Sequence, residues 1–126
     1  MGQRRSGGVH HVAIRALDVA AVARFYAGLF RHARLDEKHD DRGLRAVWLA
    51  AGDTMVMIER REPGEPAPDA RSLDAIVFAI EPGERAPLRR RLSRRRVAIE
   101  GETAYSLYFR DPEGRRIGAS HYPDDV

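Results

Sequence analysis

The sequence predicts an α+β fold made of two βαβββ modules in one domain. Three observations carry this. The order strand–helix–strand–strand–strand occurs twice, a proline-rich stretch separates the two runs, and 126 residues suffice for one compact core. The first module spans 8–60, the linker 61–71 and the second module 72–122.

Taken in order, Val9 to Arg15 alternates as a strand, with Val12 and Ile14 on one face and His11, Ala13 and Arg15 on the other. Asp18 stands at an N-cap position. Val19, Val22, Ala23, Tyr26, Leu29 and Phe30 follow at helical spacing, predicting a helix over 19–30. Arg31 to Arg42 is charged and reads as an exposed strand or loop. Leu44–Ala50 and Thr54–Arg60 read as two strands joined through Ala51-Gly52-Asp53. Arg61–Arg71 holds three of the seven prolines and no periodicity. Then come a strand at Leu73–Ile80, a helix at Glu84–Arg95 and a strand at Val97–Glu100. Strands at Ser106–Arg110 and Arg116–His121, joined by the turn Asp111-Pro112-Glu113-Gly114, complete the chain.

Composition removes several classes of function. There is no cysteine, so disulfides, zinc-thiolate sites, iron–sulfur clusters and thiol nucleophiles are excluded together. No apolar run approaches the roughly 20 residues that span a bilayer. No signal-like stretch follows Met1, and the expected compartment is the cytoplasm. The pI of 9.8 suggests nucleic acid, but the net charge is only +3 and Lys38 is the one lysine. Seven arginines crowd Arg85–Arg96, without aromatic residues between them to stack on bases. The simpler reading is the solvated side of a helix anchored by Leu88 and Leu92, so a nucleic-acid partner is not favoured.

The run His10-His11-Val12-Ala13-Ile14, then Leu17-Asp18 and Arg24-Phe25-Tyr26, resembles the start of the vicinal oxygen chelate superfamily, the glyoxalase, bleomycin-resistance and extradiol dioxygenase proteins. The strand Met55-Val56-Met57-Ile58-Glu59 also fits that family. Leu107-Tyr108-Phe109-Arg110-Asp111-Pro112-Glu113-Gly114-Arg115 resembles its strand and Asp-Pro-Asp/Glu-Gly turn. The resemblance covers residues 8–122. It implies that the paired modules curl into an eight-stranded, glyoxalase-like cup around a metal and a small substrate. It also implies a homodimer, with modules paired within or between chains.

Carried over position by position, the resemblance places metal ligands at His11, Glu59, Asp74 and Gly118. Glu59 follows His11 by 48 residues and Gly118 follows Asp74 by 44, so the modules are nearly congruent. His11 and Glu59 match the family's ligand types. Asp74 stands where a histidine is usual, and Gly118, where a glutamate is usual, cannot ligate. One imidazole and two carboxylates suit a hard or borderline divalent ion with several waters, with manganese, iron, nickel or zinc as candidates. The set is poorer for zinc than one with two histidines, and it lacks the two-histidine, one-carboxylate triad of iron-dependent oxygen chemistry. His121 is the histidine nearest the missing glutamate, but it points to the opposite face from residue 118 unless the strand bulges.

Each candidate also has a plainer role. His11 can be a hydrogen-bonded strand histidine, Glu59 an exposed strand end, and Asp74 a surface residue. His10, His32 and His39 read as surface residues. Trp48, Phe78, Tyr108 and Phe109 read as core or cup lining. Arg15 and Arg110 face either an anionic ligand or solvent.

Three functions follow. The first is a metal-dependent lyase, isomerase or dioxygenase, with the metal as Lewis acid and Glu59 moving a proton. The second is a metal-free protein that binds or sequesters a small molecule, anionic or neutral given the positive net charge. The third is a basic accessory protein that binds nucleic acid through Arg85–Arg96.

Overall fold

The computed structural model describes residues 6–125. The chain divides into two compact units, Met1–Glu65 and Pro66–Val126. Each holds one four-stranded sheet, and the two expected βαβββ modules are both present.

In the first unit β1 (His11–Ala16) leads into α1 (Val19–Phe30), followed by β2 (Arg34–Asp40), β3 (Gly43–Ala51) and β4 (Thr54–Arg60). The strand order is β1-β4-β3-β2, with β1 parallel to β4 and the other pairs antiparallel. Asp18 caps α1 by accepting the Ala21 N–H at 2.9 Å, and Arg31 in the left-handed region ends the helix. The helix buries Val19, Val22, Ala23, Tyr26 and Leu29, all core residues. From the sheet the core takes Ile14, Ala16, Val47, Leu49, Val56 and Ile58, with Ile14 1% exposed and the last four fully buried. Strict alternation on β1 and β4 thus sends one row to α1 and leaves His11, Ala13, Arg15, Met55, Met57 and Glu59 on the other face. The charged segment after the helix is an edge strand with every residue exposed. Its ion pairs, Arg34–Glu37 and Lys38–Asp36, keep that edge hydrophilic.

The second unit runs β5 (Ile76–Ala79), a single 3₁₀ turn (Pro82–Glu84), α2 (Arg85–Arg94), β6 (Gly101–Glu102), β7 (Ser106–Arg110) and β8 (Arg116–Ser120). The order β5-β8-β7-β6 repeats the pattern of the first sheet. Leu88 and Leu92 anchor α2 and are fully buried, as their spacing predicts. The turn after β7 forms as expected. Asp111 Oδ1 accepts the N–H groups of Glu113 and Arg115, and Gly114 takes the positive φ of 91° that the turn requires.

Two strands differ from expectation. β5 begins at Ile76, not Leu73, because side chains take the preceding carbonyls. Arg110 donates to the Ser72 oxygen and Arg116 to that of Leu73, each at 3.0 Å. Val97–Glu100 is not a strand. Arg96 lies in the left-handed region and the Val97 N–H closes on the Leu92 carbonyl, so the chain is still leaving the helix there. Pairing with β7 starts only when the Glu100 N–H reaches the Tyr108 carbonyl at 2.9 Å.

His32 is the histidine that departs from its surface assignment. It is half-buried and stacks on Phe30 with centroids 5.4 Å apart, and burial lowers its pKa.

Candidate functional site

The face of the first sheet turned away from α1 has an apolar floor and a charged end. Cross-strand register sets Ala13 beside Met57, and Met57 beside Trp48. Met55 is flanked by His11 and Ala50. The thioethers and the indole are half-buried, which leaves polarizable apolar surface open to a ligand. The His11 ring meets the Trp48 ring edge-on, centroids 4.9 Å apart. Its Nδ1 lies 3.0 Å from His10 Nδ1.

At the charged end Glu59 is the register partner of Arg15 on one side and Ala46 on the other. Arg15 donates Nη1 to Glu59 Oε1, and Arg45 donates Nη1 to Oε2 at 3.2 Å, so each carboxylate oxygen holds a guanidinium. Arg15 turns its other edge, Nε and Nη2, to Glu65. Pro63-Gly64 aims that glutamate. The Glu65 N–H returns to the Glu62 carbonyl at 3.1 Å and Gly64 has φ 90°, the signature of a type II turn. The bond from Arg15, aided by the Glu62 N–H, pulls the Glu65 carboxyl down to about 2, and the paired carboxylates raise the Arg15 pKa.

The second unit's corresponding face is filled from within. Tyr108 pairs with Gly118 on one side and Gly101 on the other, and its ring covers both. Arg116 places its guanidinium carbon 4.2 Å from the ring centroid while donating to Glu100 and to the Leu73 carbonyl. Arg110 also donates to Glu100, so both arginines lower that carboxyl's pKa, Arg110 the more strongly. Arg110 is thereby a structural tie; it joins β7 to the segment before β5.

The proposed ligand residues are divided between the two units. His11 and Glu59 share one face of the first sheet. Asp74 belongs to the second unit, ahead of β5, exposed, with its N–H donated to Ser72 Oγ at 3.2 Å. It lines a small cleft of about 310 Å³ with Asp69, Ser72 and Arg116. His121 is 2% exposed on the buried side of β8's end. Its Nδ1 meets the Asp124 carbonyl at 2.6 Å and its Nε2 faces Arg85 Nη1 at 3.2 Å. No bulge brings it to the face of Gly118. Within either unit, among the described residues, no three His, Asp or Glu side chains form a set that could hold a metal.

These residues do not fit a resident divalent cation. Both Glu59 oxygens are engaged by guanidinium groups, which a metal ion would have to displace. Gly118 offers no ligand, and the space beside it holds the Tyr108 ring. His11 remains available as a hydrogen-bonding imidazole beside Trp48.

Sequence reading missed Arg45, Arg61 and Glu65. The Pro63-Gly64 turn was the available signal for Glu65. On α2, Arg85 and Arg89 pair with Glu102, which leaves less of the helix for a polyanion than the bare sequence suggests.

Residues 8–118 match the family model described as Glyoxalase/Bleomycin resistance protein/Dioxygenase superfamily. No curated protein matches the chain. Among solved structures, the fosfomycin resistance protein FosX from Mesorhizobium loti is 17% identical, with TM-score 0.77 and 93% of each chain covered. FosX from Listeria monocytogenes, in complex with Mn(II) and dihydroxypropylphosphonic acid, is 15% identical with TM-score 0.75, covering 93% of this chain and 91% of that one. A possible glyoxalase from Bacillus cereus is 18% identical with TM-score 0.72, covering 91% and 99%. These similarities establish the shared glyoxalase-like α+β fold. With the family match across most of its length, this chain belongs to the Glyoxalase/Bleomycin resistance protein/Dioxygenase superfamily.

Proposed function

We propose that this protein binds a small anionic or neutral molecule on the first sheet's open face, without a resident metal. The ligand's body rests on Met55, Met57 and Trp48, and His11 and the Arg15–Glu59–Arg45 group orient its polar end. The observation that carries this reading is Glu59. The carboxylate best placed to ligate a metal already has both oxygens on arginines. Partly exposed apolar side chains beside a few hydrogen-bonded polar groups resemble the lining of small-molecule sites.

Trp48 is the only tryptophan, so its fluorescence reports this face directly. Titration of untagged protein with small carboxylic acids, thiol adducts, epoxides and catechols should give a saturable Trp48 response that His11→Ala weakens. No response to any class would overturn the reading. Elemental analysis after incubation with manganese, iron, nickel and zinc should find far less than one ion per chain. About one ion per chain, lost in Glu59→Gln, would instead support a metal-dependent lyase, isomerase or dioxygenase.

A further inference from the structure

Arg61 follows β4 directly and keeps the phase of Met55, Met57 and Glu59. Its N–H extends the ladder to the Ala16 carbonyl at 2.8 Å. The residue is only 9% exposed, and its Nη1 is buried with no hydrogen-bond partner. The other arginines in this neighbourhood each hold a carboxylate, although Arg60 also leaves its Nε buried without a partner. Arg15 and Arg45 hold Glu59, Arg15 also holds Glu65, Arg42 holds Glu62, and Arg60 holds Asp40. Each of these four guanidinium groups thus faces a carboxylate within ion-pair distance, and Arg61 does not. It pairs with no carboxylate among the described residues, although its field reaches Glu65.

A buried lysine could shed its proton to escape this situation; an arginine cannot. A buried cation without an acceptor opposes folding, and one with an oxyanion does not. We infer that Arg61 anchors an oxyanion, the carboxylate or phosphoryl group of the small molecule bound on this face, through its buried Nη1. This rests on the reading that the face binds a small molecule, and adds which end of that molecule is charged. The guanidinium's two Nη1 protons suit an oxygen acceptor, at the short distances of charge-assisted bonds.

The test is thermal unfolding of the full chain in a buffer without small oxyanions, with added sodium acetate in one series and inorganic phosphate in the other. The wild-type midpoint should rise in a saturable way with at least one of them, as binding to the folded state requires. The series with the larger rise identifies the class of group. Arg61→Met fills similar volume without charge. It should be at least as stable as wild type without anion and should need roughly tenfold or more anion for the same rise. Equal anion response in wild type and Arg61→Met, or none in wild type, would overturn the inference. Should Arg61→Met fail to fold, Arg61→Gln serves, with the same loss of anion response expected. Trp48 fluorescence separates this result from the broader one. An organic ligand that quenches Trp48 equally in Arg61→Met leaves the binding face standing and removes Arg61 from it.

Discussion

The ring of Tyr108 lies so close over Gly118 that a Cβ at position 118 would stand 2.8 Å from Cδ1 and 2.9 Å from Cε1. The Leu107 carbonyl oxygen would be only 3.2 Å away, and backbone cannot swing aside. Gly118→Ala should therefore destabilise the protein by about 1–3 kcal/mol, as overpacking does. In urea unfolding, the pair Gly118→Ala and Tyr108→Ala should cost less together than the sum of the two alone. Additive losses would show that the ring does not depend on the glycine.

The same contact bears on metal binding. Restoring the family's carboxylate with Gly118→Glu must displace Tyr108 and the Arg116 guanidinium above it. The expected outcome is lower stability and no retained Mn(II) by elemental analysis. A variant that folds normally and holds one ion would mean that the glycine alone separates this chain from a metal site.

Glu65 makes stability depend on acid. Its carboxyl is held at about 2, against an ordinary 4.5, first by the Arg15 hydrogen bond and next by the Glu62 N–H. A depressed carboxylate stabilises the fold above its unfolded pKa, and that contribution disappears as pH falls from about 4.5 through about 2. The midpoint of Glu65→Gln should fall less steeply than wild type across that window. Asp40, Glu62, Glu100 and Glu102 are shifted in the same direction, so some slope remains. Parallel profiles of wild type and variant would exclude the pairing from the folded state in solution.

His121 joins the chain's end to α2, through the Asp124 carbonyl and Arg85. His121→Ala removes a buried group with both ring nitrogens engaged and should cost about 1–3 kcal/mol. The Trp48 response to ligand should not change, because both His121 ring nitrogens are engaged by groups of the second unit. A loss of ligand response at unchanged stability would reverse the assignment.

Much of the fold was legible because local signals agreed with one another. Asp18 and the spacing from Val19 to Phe30 marked α1 at both ends. Alternation set His11 with Arg15 on β1 and Glu59 with Met55 and Met57 on β4, while the register that brings the two rows to one face came from the structure. Legibility failed where side chains competed for backbone groups. Arg110 and Arg116 take the carbonyls of Ser72 and Leu73 and shorten β5, and nothing local to Leu73 announces it.

The sequence by itself determined the two modules, the order of most of their elements and the alternation of side chains along β1 and β4, since period and turn chemistry are properties of neighbouring residues. It also determined that position 118 carries no ligand. Only the tertiary structure decided what stands there instead and what Glu59 touches. Tyr108 reaches Gly118 across a strand pair, and Arg15 and Arg45 reach Glu59 from 44 and 14 residues away. Whether a charge is paired, buried or surplus depends on such distant neighbours, because electrostatic energy follows separation in space and desolvation, not order along the chain.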